Sequence, residues 1–188
     1  MNHKLEAAMR RIFYTTLPIF VALTVTAHAA GGGSSTPPKT TSTTTECSDG
    51  QIYDKDAKAC VDADQQSFND SDRYDAVREL AYAGAFDRAE LVIAAADNPE
   101  DARFLNYKGF INRKQGNMDE AMAFYTAALD QDPDYILARS YMGQGLVSLG
   151  DIAGAKEQLR EILARGGRET WAYVALKGAI NGKPTRSY

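Results

Sequence analysis

The sequence predicts an all-α fold. It reads as an α-solenoid of about three helix hairpins plus a C-terminal capping helix, preceded by a flexible linker and a small disulfide loop. Three observations carry that reading. Small residues recur 34 positions apart: Gly109 with Gly143, Gly116 with Gly150, and Ala121 with Ala155. Larger side chains follow each small one at helical spacing, Tyr125 and Ala128 after Ala121, Leu159 and Ile162 after Ala155. Glycine stops and Asx-Pro pairs punctuate the run at matching places. A period of this length marks paired-helix units, each unable to bury its apolar face alone, which therefore stack.

Taken in order, residues 1–29 have the features of an export signal: Arg10 and Arg11, an apolar run from Ile12 to Thr26, and Ala27-His28-Ala29 as a small-x-small cleavage site after Ala29. The run is shorter than the roughly 20 residues needed to span a bilayer. Arg10-Arg11 suits a general or a twin-arginine export route. Residues 30–46, with GGGSSTPPKTTSTTT at their centre, have no large apolar residue and are expected to form a flexible tether. Residues 47–69 begin with CSDGQIYDKDAKAC. In an oxidising compartment Cys47 and Cys60 pair most simply with each other, closing a loop with a short strand at Gln51-Ile52-Tyr53.

The helical domain spans residues 70–182, with a flexible tail at 183–188. Helices are predicted over roughly 71–83, 86–96, 99–114, 118–130, 133–148 and 152–164, with a seventh near 168–181. Gly116 and Gly150 are placed to end first helices in the left-handed conformation, and Gly84 matches Gly116 in the earlier copy. Asn98-Pro99 and Asp132-Pro133, each followed by acid, read as capped helix starts, and Asn117 with Glu120 as a capping box. Gly109 and Ala121 are small because the two helices of a hairpin cross there. The seventh helix carries Trp171, Val174, Ala175, Gly178 and Ala179 at helical spacing and is expected to cover the last open face. The opposite edge, at the degenerate first copy, either meets a second copy of the chain or is covered by the disulfide loop.

Gly109, Ala121, Tyr125, Ala128 and Pro133 in the middle copy, and Met142-Gly143, Ala155 and Leu159 in the last, resemble the tetratricopeptide repeat pattern. The first copy has Val77 in the glycine place but keeps Gly84, Phe86 and Ala89 in register, and Gly167 stands where the last copy would have proline. The resemblance implies a concave surface, lined by the first helix of each pair, that receives a peptide or helix of a partner protein. The outward candidates are Tyr74, Arg78 and Tyr82 in the first copy, Arg103, Asn106, Phe110 and Arg113 in the second, and Ser140, Gln144 and Ser148 in the third. Arginine and aromatic side chains dominate binding hot spots, and three arginines suit an acidic peptide or a C-terminal carboxylate. The lysines and asparagines of the family's carboxylate clamp are not reproduced.

Composition excludes several chemistries. The chain has net charge −4 and no basic block, which argues against nucleic acid as a partner. Both histidines, His3 and His28, fall in the segment expected to be removed. Without imidazole the remainder has neither a Ser-His-Asp nor a Cys-His pair, nor a histidine-bearing zinc site. The aspartates at 62, 64, 70 and 72 lack an EF-hand register, and Gly143-Gln144-Gly145 lies within a helix, not after a strand. No enzyme activity, cofactor or metal is expected. The reading is a periplasmic or secreted interaction scaffold; its alternative is an envelope-attached structural module whose disulfide loop binds a polymer.

Overall fold

The computed structural model describes residues 38–183; the segment expected to be an export signal, residues 30–37 of the expected tether and 184–188 of the expected tail lie outside these described residues. Six helices form three antiparallel hairpins: α2 (Asp70–Tyr82) with α3 (Phe86–Ala94), α4 (Ala102–Gln115) with α5 (Met118–Gln131), and α6 (Ile136–Ser148) with α7 (Ile152–Ala164). A 3₁₀ turn (Gly167–Glu169) leads into α8 (Trp171–Ile180), which packs on α6 and α7. Gly84, Gly116 and Gly150 turn the chain between the helices of each pair, with φ of 78°, 90° and 81°. A side chain there would be strained, so glycine is required.

The small positions have the role their spacing suggests. Ala89, Ala121 and Ala155 are fully buried, and the Tyr125 ring lies directly over Gly109. Gly143 differs from its repeat partner: its neighbour is Leu176 of α8, not Leu159 of α7. The capping helix thus takes the space that the second helix fills in the middle hairpin. Its buried stripe is Ala172, Leu176 and Ala179, while Val174, expected on that stripe, is 62% exposed.

Two helix starts fall three residues later than predicted. Asn98 accepts from the Asp101 amide at 3.0 Å and Asp132 from the Tyr135 amide at 3.1 Å, so each proline occupies the second place of a tight turn. That place favours proline as strongly as a first helical turn does. Asp101 then caps α4 by accepting from Arg103 N at 2.8 Å. Asn117 makes no side-chain cap, and the expected Asn117–Glu120 box is absent. A reciprocal box forms at α2 instead, where Asn69 accepts from Ser71 N and Asp72 N, and Asp72 accepts from Asn69 N.

The largest departure from expectation is at the N-terminal side. Residues Thr41–Thr45 are not tether; Ser42–Thr45 form a short helix, α1, docked on α2. The Glu79 carboxylate accepts from Thr41 N (2.8 Å), Thr41 Oγ1 (2.7 Å), Thr44 N (3.2 Å) and Thr44 Oγ1. Arg88 donates to the carbonyls of Thr43 and Thr44. The disulfide Cys47–Cys60 ties α1 to a two-stranded antiparallel hairpin, β1 (Gln51–Asp54) and β2 (Ala59–Asp62), with Ile52 opposite Val61. Ile52, Ala63 and Phe68 join the main core alongside Ala76, Val77 and Leu80. Arg73, 2% exposed, closes the seam by donating to the carbonyls of Ala63 and Gln65 while pairing with Asp70 and Asp97. The segment is a folded N-terminal cap that covers the first edge of the stack.

Candidate functional site

The first helices α2, α4 and α6 present their inner faces to one another, and aromatic rings fill the space between them. Tyr74 meets Tyr107 at 5.7 Å between centroids, Tyr82 meets Phe110 at 5.4 Å, Phe110 meets Tyr141 at 5.2 Å, and Tyr141 meets Trp171 at 6.0 Å. The hydroxyls of Tyr82 and Tyr141 are hydrogen-bonded, so α2 reaches α6 across α4. These tilted and edge-on pairings are the favoured ring geometries.

Burial pushes the phenols of Tyr107, Tyr135 and Tyr141 well above their usual range. It pushes Tyr125 up to about 12, even though Arg113 Nε donates to its hydroxyl at 3.2 Å. These phenols are neutral core groups at ordinary pH, not phenolate nucleophiles.

Several of the sequence candidates are not outward. Asn106 and Ser140 are fully buried, and Phe110 and Gln144 are 3% and 4% exposed. Ser140 Oγ donates to Ala172 O at 2.8 Å and Gln144 Nε2 to Ser140 Oγ at 3.2 Å, because α8 covers that part of α6. Tyr74 and Tyr82 are half-buried within the aromatic cluster. Ser148 is exposed, and its hydroxyl donates to Gln144 O.

Cations sit over the rings. Arg103 lies 5.3 Å from the Tyr74 centroid and pairs with Asp101 at 2.9 Å; that hydrogen bond raises the guanidinium pKa further against the opposing effect of burial. Arg113 lies 5.6 Å from Phe110 and 5.8 Å from Tyr141. Lys114, which the sequence reading passed over, lies 5.6 Å from Phe110. Desolvation lowers its pKa, and the neighbouring Arg113 adds to the effect. The helix-end position immediately after Arg113 was the signal for it in the sequence. Arg78 lines a cleft of about 810 Å³ between α2 and the cap, together with Lys39, Tyr53, Asp75 and Glu79.

Among the described residues no group of three or more acid, histidine or cysteine side chains is arranged to hold a metal ion. Among them, too, no helix is long and apolar enough to cross a membrane. The face offers half-buried rings with guanidinium and ammonium groups over them, which are means of binding.

A stack of helix hairpins with the fit of Gly109 on Tyr125 defines a repeat-type interaction module. Sequence profiles described as tetratricopeptide repeat match residues 74–136 and 112–180, and the chain belongs to that family. One similar protein is the probable biofilm formation methyltransferase WspC of Pseudomonas putida strain KT2440, 31% identical over 96 residues. The match covers 50% of this chain and 22% of that protein, so the chain spans about a fifth of its relative's length. No solved structure matches it.

Proposed function

We propose that the chain is a non-enzymatic scaffold of the periplasm or cell envelope that binds a peptide or helical segment of another protein along the inner face of its repeats. The observation that carries this is the half-buried rings Tyr74, Tyr82 and Trp171 on the inner face, backed by the buried Tyr107, Phe110 and Tyr141, with Arg103 over Tyr74 and Arg113 and Lys114 over Phe110. Aromatic and arginine side chains on a rigid support lose little freedom on binding and supply most of the energy at interfaces. The features of residues 1–29 and the bridged pair Cys47–Cys60 support export to an oxidising compartment. The match to part of a methyltransferase carries no claim of methyl transfer here.

Site-directed photo-crosslinking tests the binding face. A crosslinker at exposed Ser148 is expected to capture partner protein, while one at Leu91, 48% exposed on the second helix of the first hairpin, is not. Capture from Leu91 alone would place the partner on the outer face and overturn the proposal. Cell fractionation tests the location: a reduced, cytosolic pool would overturn export.

A further inference from the structure

We infer that the cleft between the N-terminal cap and α2 is a second binding site, for an uncharged saccharide. This goes beyond the reading of the inner face and does not depend on it, because the cap, which is part of no repeat, supplies one wall. The cleft measures about 810 Å³, within the roughly 300–1,000 Å³ of small-molecule sites. Its walls are set before anything binds. Glu79 accepts from Thr41 and Thr44 and so pins α1 to α2, the Thr43 hydroxyl accepts from Tyr53 N at 3.1 Å, and Cys47–Cys60 joins α1 to the strands. A preset cleft spares the ligand the cost of ordering its receptor.

The lining selects the ligand by charge. Besides Glu79, four carboxylates and three cations line the cleft, among them Asp72 and Asp75 on α2 and Lys39 and Lys55 on the cap side. Neither sign prevails. A polyanion meets the carboxylates, a polycation meets the lysines, and an apolar ligand strips water from both without pairing either. A neutral molecule with many hydroxyls escapes all three penalties, since a carboxylate accepts from such groups and an ammonium donates to them. Tyr53 supplies the platform. It is half-buried, yet it belongs to neither apolar cluster and meets no other ring among the described residues. Ile52 and Phe68 add apolar surface beside it. Among the described residues the hydroxyls of Tyr53 and Ser67 and the Asp75 carboxylate have no hydrogen-bond or ion-pair partner. A sugar ring has the matching form, a face of C–H groups to lie on an aromatic ring and a rim of hydroxyls for the polar groups around it.

The test is a printed array of neutral, acidic and amino-bearing oligosaccharides probed with the fluorescently labelled chain, followed by calorimetric titration with the best-bound glycan. Spermine is titrated as the cation control. Neutral glycans are expected to bind, and Tyr53→Ala to weaken the best of them at least tenfold. Asp75→Asn serves as a second variant: the side chain is exposed, so the wild-type thermal midpoint is kept while the same glycan binds at least threefold more weakly. An array without a bound neutral glycan would overturn the inference. Preference for acidic glycans, or spermine binding more tightly than any glycan, would do the same by marking a charged ligand. A neutral glycan that binds both variants as tightly as wild type sits elsewhere on the chain and overturns it too. Saturating glycan should leave capture by the Ser148 crosslinker unchanged; loss of that capture would put the sugar on the inner face instead of in the cleft.

Discussion

Replacing Gly109 with alanine adds one methyl group at the crossing of α4 and α5. The new Cβ would stand 2.6, 2.7 and 3.1 Å from Cε1, Cδ1 and Cζ of Tyr125. Those atoms belong to a ring with no exposed surface, held at its hydroxyl by Arg113, so it cannot swing aside as a flexible chain end would. Overpacking of this kind costs about 1–3 kcal/mol. Alanine is also the better helix former, by about 1 kcal/mol in a helix interior. The expected balance is a net loss of up to about 2 kcal/mol. Gly145→Ala provides the control. Its Cβ meets the terminal methyl of Met122, a flexible and half-buried side chain that can move, so the propensity gain should prevail and stability should hold or rise. Urea unfolding followed by circular dichroism at 222 nm, with the disulfide intact, reads both. A Gly109→Ala protein as stable as wild type, or one less damaged than Gly145→Ala, would refute the close fit as the reason for glycine.

Arg73→Met leaves two loop carbonyls and Asp70 without their buried donor and should cost about 3 kcal/mol, seen as a lower urea midpoint. Glu79→Ala should detach α1 while sparing the hairpins: hydrogen exchange at Thr44 to Cys47 accelerates, and protection within α4 and α5 stays at wild-type level. In alkali, Tyr107, Tyr125 and Tyr141 have folded-state pKa values raised above their unfolded value near 10, with Tyr125 at about 12. Their contribution to stability is therefore complete below pH 10 and is lost as pH climbs towards 12 and beyond. Phenolate absorbance from these rings should rise together with loss of helicity; their ionisation in a still-helical protein would contradict it.

The stacked repeats were legible because their constraint is steric. Only small residues fit at Gly109, Ala121 and Ala155, so the period survives in the sequence even where the larger partners vary. The disulfide loop of the cap was legible, but the docked threonine helix α1 was not, since its contacts with Glu79 are polar. Thr41 and Thr44 bond to Glu79, and a threonine-rich stretch without large apolar residues gives the same composition whether solvated or docked in this way. The inner face was legible in part. Spacing along one helix put Asn106, Ser140 and Gln144 on an outward side, but which side is outward depends on where the next helix lies, and α8 occupies the position over Ser140. The prolines misled for a related reason: an Asx-Pro pair serves a tight turn and a helix start equally well.

The hydroxyl bond between Tyr82 and Tyr141 spans 59 residues, from the first hairpin to the third. Solenoids are usually elastic because every unit leans only on its neighbours, so they uncoil or stretch a hinge at a time. A clasp from the first unit to the third opposes that freedom. It ties the two directly, so that opening the stack between them must break this contact as well as the packing of neighbours.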